Sequence, residues 1–372
     1  MSFKNTINQI HLWLGLSSGL VVFIIAITGC CYVFKEEIKA LTGEKFVIEQ
    51  QNKPVITPTE AKKLALTIYP DKELHGVLYD DTTNPIEVVF YQLEPLFYSS
   101  VFINPFTGET LKTEDHLSGF FAFVLDGHLN LWLPENIGNQ VVRWTCVIFV
   151  FMLISGIILW WPRNKNNQKQ RLTFKWKSTT RWRRKNYDLH AIFGFYSSLL
   201  AFLVVFTGLV MAFPSVKDVI YYGLGGDKEA TFIVPKSSPK NHELDYHPID
   251  DLLSQLRLNY PNAKDFEIHY PHTDTSAIYV EVSYTDGVFY NSDFLYFDQN
   301  TLQEIPSSTF YGKYNEATIP DKLLRMNYDI HIGAILGLPG KILVFLISLT
   351  VASIPITGFF IWWGRKKKSS LG

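Results

Sequence analysis

Four stretches of the chain run on with almost no charge: Ile10 to Phe34, Val141 to Trp161, Ile192 to Phe213 and Ile342 to Trp363. A bilayer core of roughly 30 Å takes about 20 helical residues to cross, so each stretch is long enough to span it. Helices buried in soluble proteins are usually shorter and carry a polar stripe, which these lack. The hydrophobic content of 47% would also suit a large soluble protein, so the clustering decides the class, not the total.

Basic residues orient the spans. Arg163 to Lys185, between the second and third spans, holds ten Lys or Arg and no acid, and the fourth span is followed by Arg365, Lys366, Lys367 and Lys368. Both clusters read as cytoplasmic by the positive-inside rule, which puts both termini on that side. The segments 35–127 and 214–328 then lie outside, and they carry 15 acids against 8 bases and 17 against 9. The expected setting is a bacterial inner membrane, with lipid as a partner and the outer segments in the periplasm; nothing points to nucleic acid. Trp160-Trp161 and Trp362-Trp363 end the second and fourth spans as interfacial anchors. Cys30, Cys31 and Cys146 all lie within spans, so no disulfide framework is expected outside. Ile27-Thr28-Gly29-Cys30 has the form of a lipoprotein cleavage box, but Thr-Gly recurs at Thr207-Gly208 inside the third span, so processing at Cys30 is not expected.

The chain repeats itself. An offset of 179 residues carries His11 onto His190, Gly15 onto Gly194, Ser18 onto Ser197, Thr28 onto Thr207 and Gly29 onto Gly208. His128 precedes Gly156-Ile-Ile-Leu-Trp-Trp by 28 residues, and His331 precedes Gly358-Phe-Phe-Ile-Trp-Trp by 27. The outer segments repeat as well. In the first, Thr57-Pro58-Thr59-Glu60 is a capping box with proline at the first helical position, and the helix should stop at Tyr69-Pro70. Strands are expected over His75 to Tyr79, Ile86 to Gln92 and Tyr98 to Ile103, then a turn at Asn104 to Gly108. In the second, a helix opened by Pro248 ends at Tyr260-Pro261, with strands at Phe266 to Tyr270, Ile278 to Tyr284 and Phe294 to Phe297.

The layout expected is a first span (1–34), a first module (35–127), an interfacial segment with the second span (128–162), a basic loop (163–188), a third span (189–213), a second module (214–328), an interfacial segment with the fourth span (329–364) and a tail (365–372). The fold class is a membrane α-helical four-span bundle with internal duplication, plus two extracytoplasmic α+β modules.

A helix that starts His-x-x-x-Gly and ends Thr-Gly, an outer helix-plus-strands module, a second histidine and a closing Gly-x-x-x-Trp-Trp span resemble the PepSY-associated transmembrane helix family. The resemblance covers nearly the whole chain, and its motifs occur twice. Some members of that family are di-haem inner-membrane ferric-siderophore reductases, and others are known only as iron-regulated membrane proteins. The resemblance therefore implies PepSY-like modules and a part in iron assimilation. Some relatives carry a cytosolic flavin reductase domain; none is expected here, because the chain ends nine residues after Trp363.

The histidines themselves suggest a cofactor. Ionisable residues in spans are costly and usually functional. His11 and His190 each lie 17 residues before a matched Thr-Gly, about 25 Å along the helix axis, so both sit in one inner layer. His128 and His331 precede the second and fourth spans on the outer side, where electrons would leave for an acceptor. Each pair can offer two neutral imidazoles to one iron, which is six-coordinate bis-histidine ligation of haem b, two haems in all. Gly15 and Gly194, four residues after their histidines, would leave room for a porphyrin on the same helix face. Arg143 and Arg325 are candidate partners for haem propionates at the outer layer; Arg183 and Arg184 could serve the inner one, but basic residues there are what membrane topology already requires. Phe120, Phe121, Phe123, Trp132 and Trp144 crowd the approach to the outer layer, as acceptor-pocket lining or simply as interfacial anchors.

The other six of the ten histidines (His75, His116, His242, His247, His269 and His272) are expected to be ordinary module residues, although His242-x4-His247 has a metal-binding spacing. The expected activity is electron transfer from a cytosolic reductase or membrane quinol to a ferric siderophore. Two rivals are a non-enzymatic regulator whose modules bind a secreted protease, which leaves the paired histidines idle, and a siderophore or iron transporter, which would usually show broken helices at midplane.

Overall fold

The computed structural model describes residues 2–43, 46, 48–80, 83–162, 171–241 and 246–369, with side chains to Gly364. Residues 163–170 of the basic loop, His242 and the basic side chains of 365–368 lie outside the described residues. In chain order the helices are α1 (Phe3–Tyr32), α2 (Lys35–Thr42), α3 (Pro58–Ile68), α4 (Gly119–Asn130), α5 (Glu135–Trp160), α6 (Trp182–Ala212), α7 (Pro214–Gly223), α8 (Ile249–Asn259), α9 (Ile319–Ile332) and α10 (Gly337–Ser369). The strands are β1 (Leu74–Tyr79), β2 (Ile86–Gln92), β3 (Phe97–Ile103), β4 (Thr110–Asp115), β5 (Asp265–His269), β6 (Ile278–Ser283) and β7 (Asp293–Phe297). Two compact units result. One comprises residues 1–38, 120–216 and 327–372, the other 39–119 and 217–326.

In the first unit, α1, α5, α6 and α10 contain the four apolar spans, each long enough to cross a membrane. A helix satisfies its own backbone groups, which hydrocarbon cannot do, and large side chains such as Leu20 and Leu199 remain exposed on the flanks. α1 packs on α5 and α10, and α6 packs on the same two, so α1 and α6 face each other across the diagonal of a four-helix bundle. Val22 of α1, Ala201 of α6 and Val351 of α10 meet at its centre, with Phe149 and Leu153 of α5 against them.

The second unit differs from the expectation of two separate modules. Their strands join into one antiparallel seven-stranded sheet, ordered β4-β3-β2-β1-β5-β6-β7. The junction is the antiparallel pair β1–β5, with Gly76 opposite His269 and Tyr79 opposite Phe266. Each module alone would leave its first strand as an open edge; pairing the two first strands closes both edges at once. The expected strands are found within a residue or so, and β4 is an addition. It reads Thr-Leu-Lys-Thr-Glu-Asp and its residues are half-buried or exposed, so it carries little of the apolar alternation that marks a strand.

The expected helices of this unit form as their signals require. Thr57 caps α3 by accepting from the Glu60 backbone, Glu60 answers at the Thr57 N–H, and Pro58 sits in the first turn. α3 and α8 cover one sheet face, where Ala61, Ala65, Leu252 and Leu256 pack on Val77, Val88, Ile268 and Val280. The Thr59 backbone donates to Asp250 at 2.8 Å, and the Tyr270 hydroxyl donates to the Pro58 carbonyl at 2.6 Å, tying the two copies together. The other face of β5 carries Asp265, Glu267 and His269. There, burial and the neighbouring carboxylates of Glu281, Glu87 and Asp265 push the Glu267 carboxyl up to about 8.

Asp321, fully buried at the start of α9, accepts from the Tyr221 hydroxyl (2.7 Å), Lys228 Nζ (2.9 Å) and the Thr318 backbone (2.9 Å). Burial alone would raise its pKa, but these donors hold the carboxyl below the usual carboxylate range. A depressed folded pKa means stabilisation that is present above the unfolded value, about 3.9, and lost as pH falls through the folded value. Asp321→Ala strands Lys228 and Tyr221 and is expected to cost about 2–3 kcal/mol, discounted because Lys228 is partly exposed. Thermal melts of the two proteins at pH 7 check the loss, and the gap should narrow in acid.

Candidate functional site: four histidines in two pairs

The bundle brings the four matched histidines together as two pairs. The rings of His11 on α1 and His190 on α6 stand 6.5 Å apart, centre to centre, at an interplanar angle of 84°. Those of His128 on α4 and His331 on α9 stand 6.3 Å apart at 68°. Both partners of each pair belong to different copies of the repeat. α1 and α6 are the diagonal helices, so the His11–His190 pair closes across the middle of the bundle.

Each imidazole is anchored in the same way. His128 Nδ1 lies 2.9 Å from the Ile25 carbonyl and 3.3 Å from Thr28 Oγ1. His331 Nδ1 lies 3.0 Å from both the Val204 carbonyl and Thr207 Oγ1. His190 Nδ1 lies 3.2 Å from the Ile354 carbonyl and 3.0 Å from Thr357 Oγ1. His11 Nδ1 lies 2.8 Å from Ser155 Oγ. Every one of these hydroxyls already donates to a carbonyl one turn back on its own helix: Thr28 to Ile24, Ser155 to Phe151, Thr207 to Leu203 and Thr357 to Ser353. A carbonyl has no proton to give, so Nδ1–H is the donor in His128, His190 and His331; at His11 the same assignment holds where the Ser155 hydroxyl keeps its proton on the Phe151 carbonyl. The tautomer follows: the free lone pair is on Nε2.

The residue after each hydroxyl is glycine, and the imidazole lies against it. A Cβ added at Gly156 would stand 3.4 Å from His11 Cε1; at Gly29, 3.3 Å from His128; at Gly358, 3.2 Å from His190; at Gly208, 3.3 Å from His331. The Thr-Gly of the repeat is therefore a dock for a histidine, made by first- and third-span residues for His128 and His331 and answered by Ser155-Gly156 and Thr357-Gly358 for His11 and His190. In the sequence, Thr28-Gly29 and Thr207-Gly208 serve only as markers of the repeat. The Ser/Thr-Gly pair present in all four spans was the signal for their role. Asn-Tyr-Asp-x-His, at Asn186–His190 and again at Asn327–His331, was another. Asn186 Nδ2 donates to the Thr357 carbonyl at 2.9 Å and Asn327 Nδ2 to the Thr207 carbonyl at 3.0 Å, fastening the helices that carry the second-half histidines.

Two elbows set the outer pair. α4 doubles back into α5 where Gly138 meets the Asn130 carbonyl, and α9 into α10 where Gly340 meets the Gly333 carbonyl; a Cβ at either glycine would stand about 2 Å from backbone oxygen. Gly15 faces Met152 Cε, where a Cβ would stand at 2.9 Å, and Gly194 faces Ile354 at 3.9 Å. Arg143, on α5, lies 5.9 Å from the Phe213 ring centre, and its Nε is buried without a hydrogen-bond partner. Arg325 is instead taken up inside the sheet unit: it donates to the Gly312 carbonyl at 3.0 Å and to the Ser292 carbonyl, and its guanidinium stacks on Phe294 and Tyr314. Arg184 pairs with buried Asp188 at 3.0 Å. Phe120, Phe123, Trp132 and Trp144 are exposed, and Phe123 and Trp132 stack on each other at 5.0 Å.

The arrangement suits a metal between each pair. Two imidazoles on opposite sides of one ion, each bonded at about 2 Å, have ring centres about 6 Å apart. Outer hydrogen bonds to Nδ1 are also what fixes a ligating imidazole's orientation and raises its basicity. Thr357→Val leaves His190 Nδ1 the Ile354 carbonyl alone; if a metal-centred cofactor sits between His11 and His190, its retention should fall about 10-fold, read by bound metal or haem after dilution and gel filtration.

The model of the PepSY-associated TM region family matches residues 8–365, a stretch that includes all four histidines. No curated protein matches the chain.

Proposed function

The chain belongs to the PepSY-associated TM region family, and on that premise we propose that it carries electrons across a bacterial inner membrane to reduce a ferric siderophore in the periplasm. The observation that carries this reading is the repeated geometry: two imidazole pairs at 6.5 and 6.3 Å, each ring held by Nδ1 with Nε2 left to bind. His11 and His190 would hold an inner haem b, and His128 and His331 an outer one. Haem b supplies one-electron redox chemistry at each position, and reduction to the ferrous state loosens iron from hard oxygen ligands.

The chain's own residues account for the rest. Thr28, Ser155, Thr207 and Thr357 accept from Nδ1 and so keep Nε2 unprotonated for the metal. Gly29, Gly156, Gly208 and Gly358 let the Cε1 edge of each imidazole come close to a neighbouring helix. Val22, Ala201 and Val351 fill the bundle centre with apolar groups and keep water from it. Arg143, with its unpartnered buried Nε, is the cation best placed on α5 to meet a propionate. The basic loop and tail, read as cytoplasmic, put His128 and His331 on the outer side, where an acceptor would be met; a cytosolic reductase or membrane quinol would be the donor on the inner side.

The test is reconstitution of the full chain in vesicles with a reductant sealed inside and a ferric hydroxamate or catecholate chelate outside. Ferrous iron should appear in an external ferrous-specific trap, and His331→Ala should reduce the rate by more than about 10-fold, the low end of what changes around a metal site cost in activity. Equal rates in wild type and variant would defeat the reading.

A further inference from the structure

The seam of the sheet holds a second set of ligating groups. His75 lies on β1, in the first copy of the module, at an irregularity of register between Leu74 and Gly76. Glu267 and His269 lie on β5, in the second copy, two residues apart and so on one face. β1 and β5 are the strands that join the copies, so only the fused sheet brings these residues together. One ligand atom from each of His75, Glu267 and His269 lies within 4.8 Å of the others. His269 Nε2 stands 3.5 Å from Glu267 Oε1, and the rings of His75 and His269 are 4.6 Å apart. They line a cavity of about 340 Å³, and exposed His272 adds its ring 6.3 Å from that of His75.

We propose that His75, Glu267 and His269 form a binding site for one divalent first-row transition-metal ion, with His272 as a further donor at its open side. Two imidazoles and one carboxylate are the donor set of open, exchangeable sites for Zn²⁺ and Fe²⁺, whereas Ca²⁺ and Mg²⁺ take oxygen. The local backbone is shaped to it. The irregularity at His75 re-aims its side chain relative to regular alternation, which is what such bulges do. Gly76 stands directly opposite His269, where a Cβ would lie 3.2 Å from His269 Nδ1 and 3.1 Å from the Ile268 carbonyl. Any larger residue there would press on a ligand. Glu281 stands opposite Glu267 on the neighbouring strand and lines the same cavity, so an acidic side chain flanks the proposed ion. This site is independent of any cofactor in the helical unit.

The test is zinc uptake by the untagged, chelator-treated full chain in detergent. Isothermal titration with ZnCl₂, and metal analysis after gel filtration, should show about one tightly held ion per chain. Glu267→Gln, which keeps the shape of the side chain, and His269→Ala should each weaken binding by more than about 100-fold, beyond the usual loss from an outer-shell change. X-ray absorption at the zinc edge of the wild-type protein should report imidazole nitrogen ligands, so the proposal is tested even if a variant fails to fold. It is overturned by wild type that takes up no stoichiometric zinc, by Glu267→Gln and His269→Ala proteins that bind as wild type does, or by an edge spectrum without imidazole.

Discussion

Alanine at His11 is expected to remove one haem per chain and leave the other in place. The expectation follows from the pairing. His11 and His190 meet across the diagonal of the bundle at 6.5 Å, and His128 and His331 meet separately at 6.3 Å. If each pair holds one haem, alanine at one histidine would leave a single ligand for it, too little for retention through purification. The combinations are more telling than the single changes. His190→Ala added to His11→Ala should remove nothing further, because both act on one haem. His331→Ala added to His11→Ala should remove both haems. Pyridine haemochrome assay on the four proteins reads these counts directly. A His11→Ala/His190→Ala protein that loses more haem than either single variant would break the pairing, even if every histidine proved to be a ligand.

The second large effect is expected at a residue that touches no histidine. Gly138 opens α5 where the chain has just turned back from α4, and a Cβ there would stand 1.9 Å from the Asn130 carbonyl oxygen and 2.6 Å from its carbon. Those are backbone atoms in a packed corner, and no rotamer change relieves the clash. Gly138→Ala must open the elbow and move α4, which carries His128 two residues before Asn130. We expect a loss of more than about 3 kcal/mol in stability, or selective loss of the outer haem with the inner one retained. Haem content and thermal melting in detergent measure both. Gly156→Ala is the contrast. Its Cβ would meet only His11 Cε1 at 3.4 Å, a contact a ring can yield to, so its cost should be small.

Much of this architecture is legible in the residues. The spans announce themselves because a bilayer demands about 20 apolar residues in a row, and little else produces that pattern. The capping box at Thr57–Glu60 and the stop at Tyr69-Pro70 bracket α3 because capping and proline act locally. The repeat sorts the histidines into layers, since a constant offset is a statement about the whole chain. What is not legible is anything that depends on two distant segments meeting. The seam between β1 and β5 joins residues nearly two hundred positions apart, and no local pattern says that two modules will share one sheet. His75, Glu267 and His269 therefore read as ordinary module residues until the seam forms. Arg325 shows the same limit. Its position in the chain, shortly before His331, suggests a propionate partner, whereas its guanidinium is held by carbonyls of Ser292 and Gly312 from the sheet unit. The docks at Ser155-Gly156 and Thr357-Gly358 are a different case. Their signal is in the sequence, but Ser/Thr-Gly pairs are so common between membrane helices that only the meeting with an imidazole gives them meaning.

The central claim is that the two imidazole pairs hold two b-type haems. The measurement that bears on it most directly is the optical spectrum of the purified full chain, oxidised and then reduced with dithionite, with haem counted against protein. The account predicts a sharp reduced α-band of low-spin bis-histidine haem and about two haems b per chain. A colourless preparation from cells supplied with haem, or a high-spin spectrum with no bis-histidine signature, would contradict it.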